Sequence, residues 1–303
     1  MILAYGQLAA AMVLVGINVV VGKLLAEALP IPLIACLRCI LAAAVLWPLM
    51  RVREPGPAPG TPVLRNLFWQ AAFGTALYNI ALLAGLRLTS ALEGGLVLSA
   101  LPAVIAIGSA LWLRERLAAR SWLAALLAGV AMAVITLART EAHAPGSLAG
   151  NALVLVAVFG EAVYVLLAKR VAGRVGIVTA SFWMQLFSAL LLLPLSLIAA
   201  PDLGYGVIDA RIGALLVFHS LTASVLALLL WFNGLRRAKA SIAGVFGAFL
   251  PASAAVSAVL ILGEPFGIVH AAGFAMMLAS ILLATWPRRS PYSREVQPAG
   301  TSS

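Results

Sequence analysis

Residues 85–115 read GLRLTSALEGGLVLSALPAVIAIGSALWLRE, and residues 234–264 read GLRRAKASIAGVFGAFLPASAAVSAVLILGE. At an offset of 149 the two stretches align without a gap. Gly85-Leu86-Arg87 falls on Gly234-Leu235-Arg236, Ala91 on Ala240, Gly95 on Gly244, Pro102 on Pro251 and Glu115 on Glu264. The register continues to Ala124 and Gly273. An offset of 146 extends it, less closely, over the first helix pair, with Lys23 on Lys169 and Asn18 on Tyr164. The chain carries one structural unit twice.

Composition says what the unit is made of. Of 303 residues, 63% are hydrophobic and 10% charged. An average soluble domain carries about 25% charged residues. Too little polar surface remains to cover a soluble globule, so lipid is the expected solvent. A spanning helix needs about 20 apolar residues. Apolar runs between charged or Gly/Pro-rich breaks give spans at 3–26, 31–50, 67–86, 92–113, 122–138, 149–168, 177–199, 212–235, 240–262 and 267–286. The runs are too long for barrel strands and lack period-two alternation. The expected fold is therefore an all-α integral membrane protein of ten transmembrane helices. Five helices per unit is an odd number, which turns the second copy upside down. The expected organisation is a first five-helix repeat at 1–140, an inverted second repeat at 141–287, and a disordered cytoplasmic tail at 288–303. Inverted repeats of this kind characterise transporters, with substrate bound near the midplane between the halves.

A net charge of +10 in a soluble protein would suggest nucleic acid. Here the cations sit singly or in threes between apolar runs, which excludes that reading. The loops after the second, fourth, sixth and eighth spans, with the tail, hold fifteen of the 20 basic residues. This alternation places both termini in the cytoplasm. The N-terminal run has no basic stretch before it and no small-residue cleavage site after it, so it reads as a retained helix. Cys36 and Cys39, one turn apart in an apolar run, read as small core residues. No metal site is expected, because no His or carboxylate cluster accompanies them.

Small residues recur at i,i+4 spacing in the fourth span (Ala91, Gly95, Ser99, Ala103) and the ninth (Ala240, Gly244, Ala248, Ala252). They let helices approach closely, either as ordinary packing or as sliding faces of moving gates. Pro102 and Pro251, near mid-span, are expected to bend these helices.

These residues carry a resemblance. Gly16, Asn18 and Lys23, then Leu37-Arg38, the Gly-Leu-Arg segment, Pro102 and Glu115, then Pro251, Gly263-Glu264-Pro265 and Gly273 form an ordered set in two copies. In them the chain resembles the drug/metabolite transporter superfamily, in its ten-helix EamA-type branch, over nearly its whole length to Trp286. The functional type it is most similar to is the YddG-like aromatic amino-acid exporters. The resemblance implies alternating-access export of small metabolites, amino acids above all, across a bacterial inner membrane. No cofactor and a monomer or weak homodimer are expected. The same superfamily also contains nucleotide-sugar and sugar-phosphate carriers, which several intramembrane cations facing one cavity would favour. A membrane-embedded enzyme would need clustered carboxylates or His at one interface, and none is legible. No motif binds ATP, so gradients are the expected energy source. A sensor or scaffold would not need the repeat.

An ionisable residue inside a span is costly and is a functional candidate by default. Glu161 lies about 12 Å from the charged end of its helix at Lys169, by helical rise. It is the leading candidate for a substrate amine or for proton coupling, with a structural pair to Arg38 or Lys23 as the alternative. His219 lies at similar depth; it either titrates or bonds a neighbouring helix. Arg38 either binds a substrate carboxylate or braces the second helix. Tyr78, Asn79, Trp183, Gln185 and Trp231 offer aromatic walls and polar groups for a pocket, and Ser99 lies on the small-residue stripe. Glu93, Glu115, Glu264 and His270 read as cap or loop charges. Trp47, Trp69, Trp112, Trp122 and Trp286 read as interfacial.

Overall fold

A computed structural model describes residues 2–88, 97–98, 100–138, 147–199, 209–262 and 268–285. Every regular element among them is helical, as hydrocarbon requires of a backbone that must satisfy itself. The helices are α1 (Ile2–Ala26), α2 (Ile31–Arg53), α3 (Thr61–Ala71), α4 (Tyr78–Leu88), α5 (Leu101–Trp112), α6 (Ala119–Ala138), α7 (Leu148–Val171), α8 (Ile177–Ala199), α9 (Ala210–His219), α10 (Ala227–Arg237), α11 (Ala240–Phe246), α12 (Phe249–Leu262) and α13 (Ile268–Thr285). Two π-helical segments join α3 to α4 (Ala72–Leu77) and α9 to α10 (Ser220–Leu226). Among the described residues, six stretches are long and apolar enough to cross a membrane, and three shorter apolar helices accompany them.

Three expectations change. The third span begins at Thr61 and not at 67, because Gly60 and Pro62 start a helix whose first turns are polar and escape an apolarity reading. The ninth span is not one helix. It breaks at Gly247 and Ala248, whose N–H groups donate three residues back, to Gly244 O and Val245 O. Pro102 and Pro251 consequently do not bend helices from within. They stand in the first turns of α5 and α12, where proline's missing N–H costs nothing. Gly95, Ser99, Glu93, Glu264, Trp286 and the tail lie outside the described residues.

Packing recurs in pairs. α1 packs on α10 and α12, as α7 packs on α4 and α5; α2 packs on α8, and α6 on α13. The two π segments fall on each other at the offset of 149, as 72–77 on 221–226. A Cβ on Gly85 would meet Val154 and Gly150 O, and one on Gly234 would meet Leu8 and Ala4 O. Those partners are 146 residues apart, the offset of the first helix pair. Helices that must touch this closely leave room only for glycine.

The loops after the second, fourth, sixth and eighth spans gather at one end, in line with the charge alternation. Glu54 accepts from Val178 N (3.2 Å), Thr179 N (2.8 Å) and Thr179 Oγ1 (2.7 Å) at the start of α8. Glu115 accepts from Ala240 N (2.9 Å), Ser241 N (3.4 Å) and Ser241 Oγ (3.1 Å) at the start of α11. Each carboxylate thus caps the positive end of a helix more than a hundred residues away. Lys169 Nζ donates to Leu235 O (2.8 Å) and Ala238 O, closing the C-terminal end of α10. Cys36 and Cys39 are free and buried.

Candidate functional site

Where α1, α2, α4, α5, α6, α7, α8, α10, α11 and α12 converge lies a cavity of about 370 Å³, within the range of about 300–1,000 Å³ usual for small-molecule sites. Its walls are built from offset-related positions. At 149 these are Gly74 and Ala223, Thr75 and Ser224, Tyr78 and Ala227, Leu98 and Gly247, and Leu101 and Leu250. At 146 they are Val15 and Glu161, and Arg38 and Met184. Backbone geometry is shared while side-chain chemistry is not.

The π segments explain why the cavity sits here. A π turn widens the helix and diverts carbonyls from the ladder, a feature frequent at functional sites. In hydrocarbon those carbonyls need partners. Asn79 Nδ2 donates to Thr75 O (2.6 Å), and Gln185 Nε2 donates to Ser224 O (2.9 Å). Ser188 Oγ donates to Thr75 Oγ1 (3.1 Å). The mid-span amides are thus used to hold two irregular turns open beside the cavity.

Among the described residues, the charged ones lining the cavity are Arg38 and Glu161. Among the described residues neither forms an ion pair, and Glu161 accepts no hydrogen bond. Arg38 Nε is buried without a hydrogen-bond partner, while the Trp231 indole lies beside the Tyr164 hydroxyl. A charge inside a span persists when it faces a cavity or a partner. Here an unpaired cation from α2 and an unpaired anion from α7 face one space. Tyr78 and Tyr164 stand beside Glu161, and Tyr164 packs against Gly74 so closely that a Cβ there would meet its ring at 2.7 Å.

Of the residues singled out from sequence, Tyr78, Glu161, Gly244, Arg38, Gln185 and Trp231 line the cavity. Asn79, Trp183 and His219 do not. Asn79 serves the π turn. Trp183 belongs to an aromatic row with Phe182 (5.5 Å) and Phe187 (5.6 Å). His219 is buried in a closed polar knot: its Nδ1 lies 2.8 Å from Asn18 Oδ1, while Asn18 Nδ2 donates to Thr222 Oγ1 (2.8 Å) and Leu14 O (2.9 Å). Thr75, Met184 and Tyr164 line the cavity without having been read as candidates. The match of Asn18 to Tyr164 was the available signal for Tyr164. Gly244 packs its bare Cα on α5, where a Cβ would meet Ile105 at 3.1 Å.

Known proteins give this geometry a family. A Bacillus subtilis (strain 168) protein described as the uncharacterized transporter YetK is 35% identical over 291 residues, covering 95% of this chain and 88% of that protein. An Archaeoglobus fulgidus protein described as an uncharacterized transporter is 24% identical over 225 residues, covering 74% of this chain and 79% of its own. A crystal structure shares the fold with a TM-score of 0.78 at 22% identity, covering 93% of this chain and 98% of that one. The EamA-like transporter family matches residues 2–137 and again 148–286. With its multi-pass helical fold and that family signature in two tandem copies, the chain belongs to the EamA-like transporter family of the drug/metabolite transporter superfamily.

Proposed function

We propose that the chain is a secondary transporter that exports small amphoteric metabolites, amino acids including aromatic ones, by alternating access. In this reading ten helices form two inverted five-helix halves, 1–140 and 141–287, in a bacterial inner membrane with both termini cytoplasmic. The observation that carries it is the pair Arg38 and Glu161, unpaired with each other and facing one cavity. A zwitterion presents a carboxylate for Arg38 and an ammonium for Glu161, and Tyr78, Tyr164 and Trp231 supply aromatic walls for a side chain. Arg38 comes from one half and Glu161 from the other, so a bound solute would join both halves and favour the state in which they close around it. One cation balanced by one anion suits a nucleotide-sugar less well.

Counterflow in proteoliposomes with a panel of amino acids, sugars and nucleotide-sugars tests this. Saturable exchange of amino acids, competed by aromatic ones, is expected. Exchange of nucleotide-sugars alone would sink it. The contact of Gly244 with Ile105 supports α11 as a sliding face. Gly244→Leu should therefore stop exchange in protein that still elutes as a folded species, and normal exchange by that variant would remove α11 from the gate.

A further inference from the structure

A second pocket, of about 290 Å³, opens at the end where the even-numbered loops gather. Arg65 in the first turns of α3, Arg170 in the last turn of α7 and Arg174 in the turn after it line the pocket, with Asn66 and Trp69. Among the described residues no carboxylate lines it. Among the described residues none of the three arginines forms an ion pair. Glu54, the carboxylate of the adjoining loop, is occupied by the start of α8. Arg170 lies over the Trp112 ring, 5.5 Å from its centroid. Three exposed arginines, without an ion pair among the described residues, thus border one space, an arrangement suited to receiving an anion.

Depth says what kind of anion. Trp69 is one turn along α3 from Arg65, about 6 Å further into the span. It is 46% exposed, and Phe68 beside it is 36% exposed. Trp at this level marks the membrane interface. The pocket therefore offers cations at headgroup depth and an apolar, aromatic wall beneath them. A soluble phosphate would use the cations and leave the wall uncovered. We propose that Arg65, Arg170 and Arg174 bind the phosphodiester headgroup of an anionic phospholipid, whose acyl chains lie along Trp69. Basic pockets between transmembrane helices on the cytoplasmic side bind lipid phosphates in this way.

The test is thermal unfolding of the detergent-purified full chain, titrated with phosphatidylglycerol, phosphatidylcholine or inorganic phosphate. Phosphatidylglycerol should raise the midpoint saturably, and phosphatidylcholine should not. Arg65→Gln with Arg174→Gln should weaken the apparent lipid affinity about 30-fold, from about one increment of headgroup attraction per arginine. Arg237→Gln, on the same end but outside the pocket, should leave it unchanged. If the double glutamine variant does not fold, Arg65→Lys with Arg174→Lys keeps the charge and loses bidentate geometry, and should still weaken binding. An equal response in wild type and pocket variants overturns the proposal. So does a shift by inorganic phosphate alone that the pocket variants abolish, since it would assign the site to a soluble anion.

Discussion

The cavity's two related walls share a backbone and differ in chemistry. Val15 stands where Glu161 stands at the offset of 146, and Met184 where Arg38 stands. Across the offset of 149, Ala227 takes the place of Tyr78. The second π segment is sealed by Asn18, His219 and Thr222. The first has Tyr164 at the position matching Asn18, and opens on Glu161. The repeat therefore accounts for where the cavity is, and the departures from it account for what the cavity can bind. Depth in the membrane does not separate the two cases. Glu161 and His219 sit at similar depth, yet only Glu161 has no protein partner among the described residues.

Erasing the departures is the sharpest way to break this comparison. Glu161→Val and Arg38→Met copy the offset partner at each site. Each should cost about 2–5 kcal/mol of solute affinity, about 30-fold or more in the concentration giving half-maximal counterflow. Unchanged exchange in both variants would mean the charges serve packing. Glu161→Gln sharpens the same point. If this carboxylate also carries a coupling proton, the pH profile of exchange should flatten, whereas an unaltered profile confines Glu161 to solute binding.

Tyr78→Ala, which copies Ala227, should act on specificity. Aromatic contacts contribute about 0.5–1.5 kcal/mol, so preference for aromatic over aliphatic solutes should fall about 2- to 10-fold. A parallel loss for all solutes would make Tyr78 structural. The smallest effect on exchange is expected from His219→Ala. Interhelical hydrogen bonds in membranes contribute about 0.6 kcal/mol and at most about 1.7. That variant should unfold slightly earlier and exchange normally, and abolished exchange in folded protein would place His219 in the mechanism.

Much of this was legible in the residues. Spacing located Tyr78, Glu161 and Gly244, and the offset paired Asn18 with Tyr164. Asn79 and His219 could not be sorted from Glu161, because all are polar groups at mid-span in a one-dimensional reading. Asn79 Nδ2 bonds Thr75 O, which also accepts from Tyr78 N at the end of the π turn, and nothing in AFGTALYN announces that turn. His219 is closed off by Asn18, two hundred residues earlier in the chain.

By itself the sequence determined the solvent, the helical class, the repeat and the end at which the cations collect. Each follows from composition or from periodicity along the chain, where hydrocarbon leaves few alternatives. Only tertiary structure decided the break at Gly247, the two π turns, which distant helix ends Glu54 and Glu115 cap, and which polar groups remain unpartnered. Those depend on hydrogen bonds between residues distant in sequence, and such partners are chosen by packing.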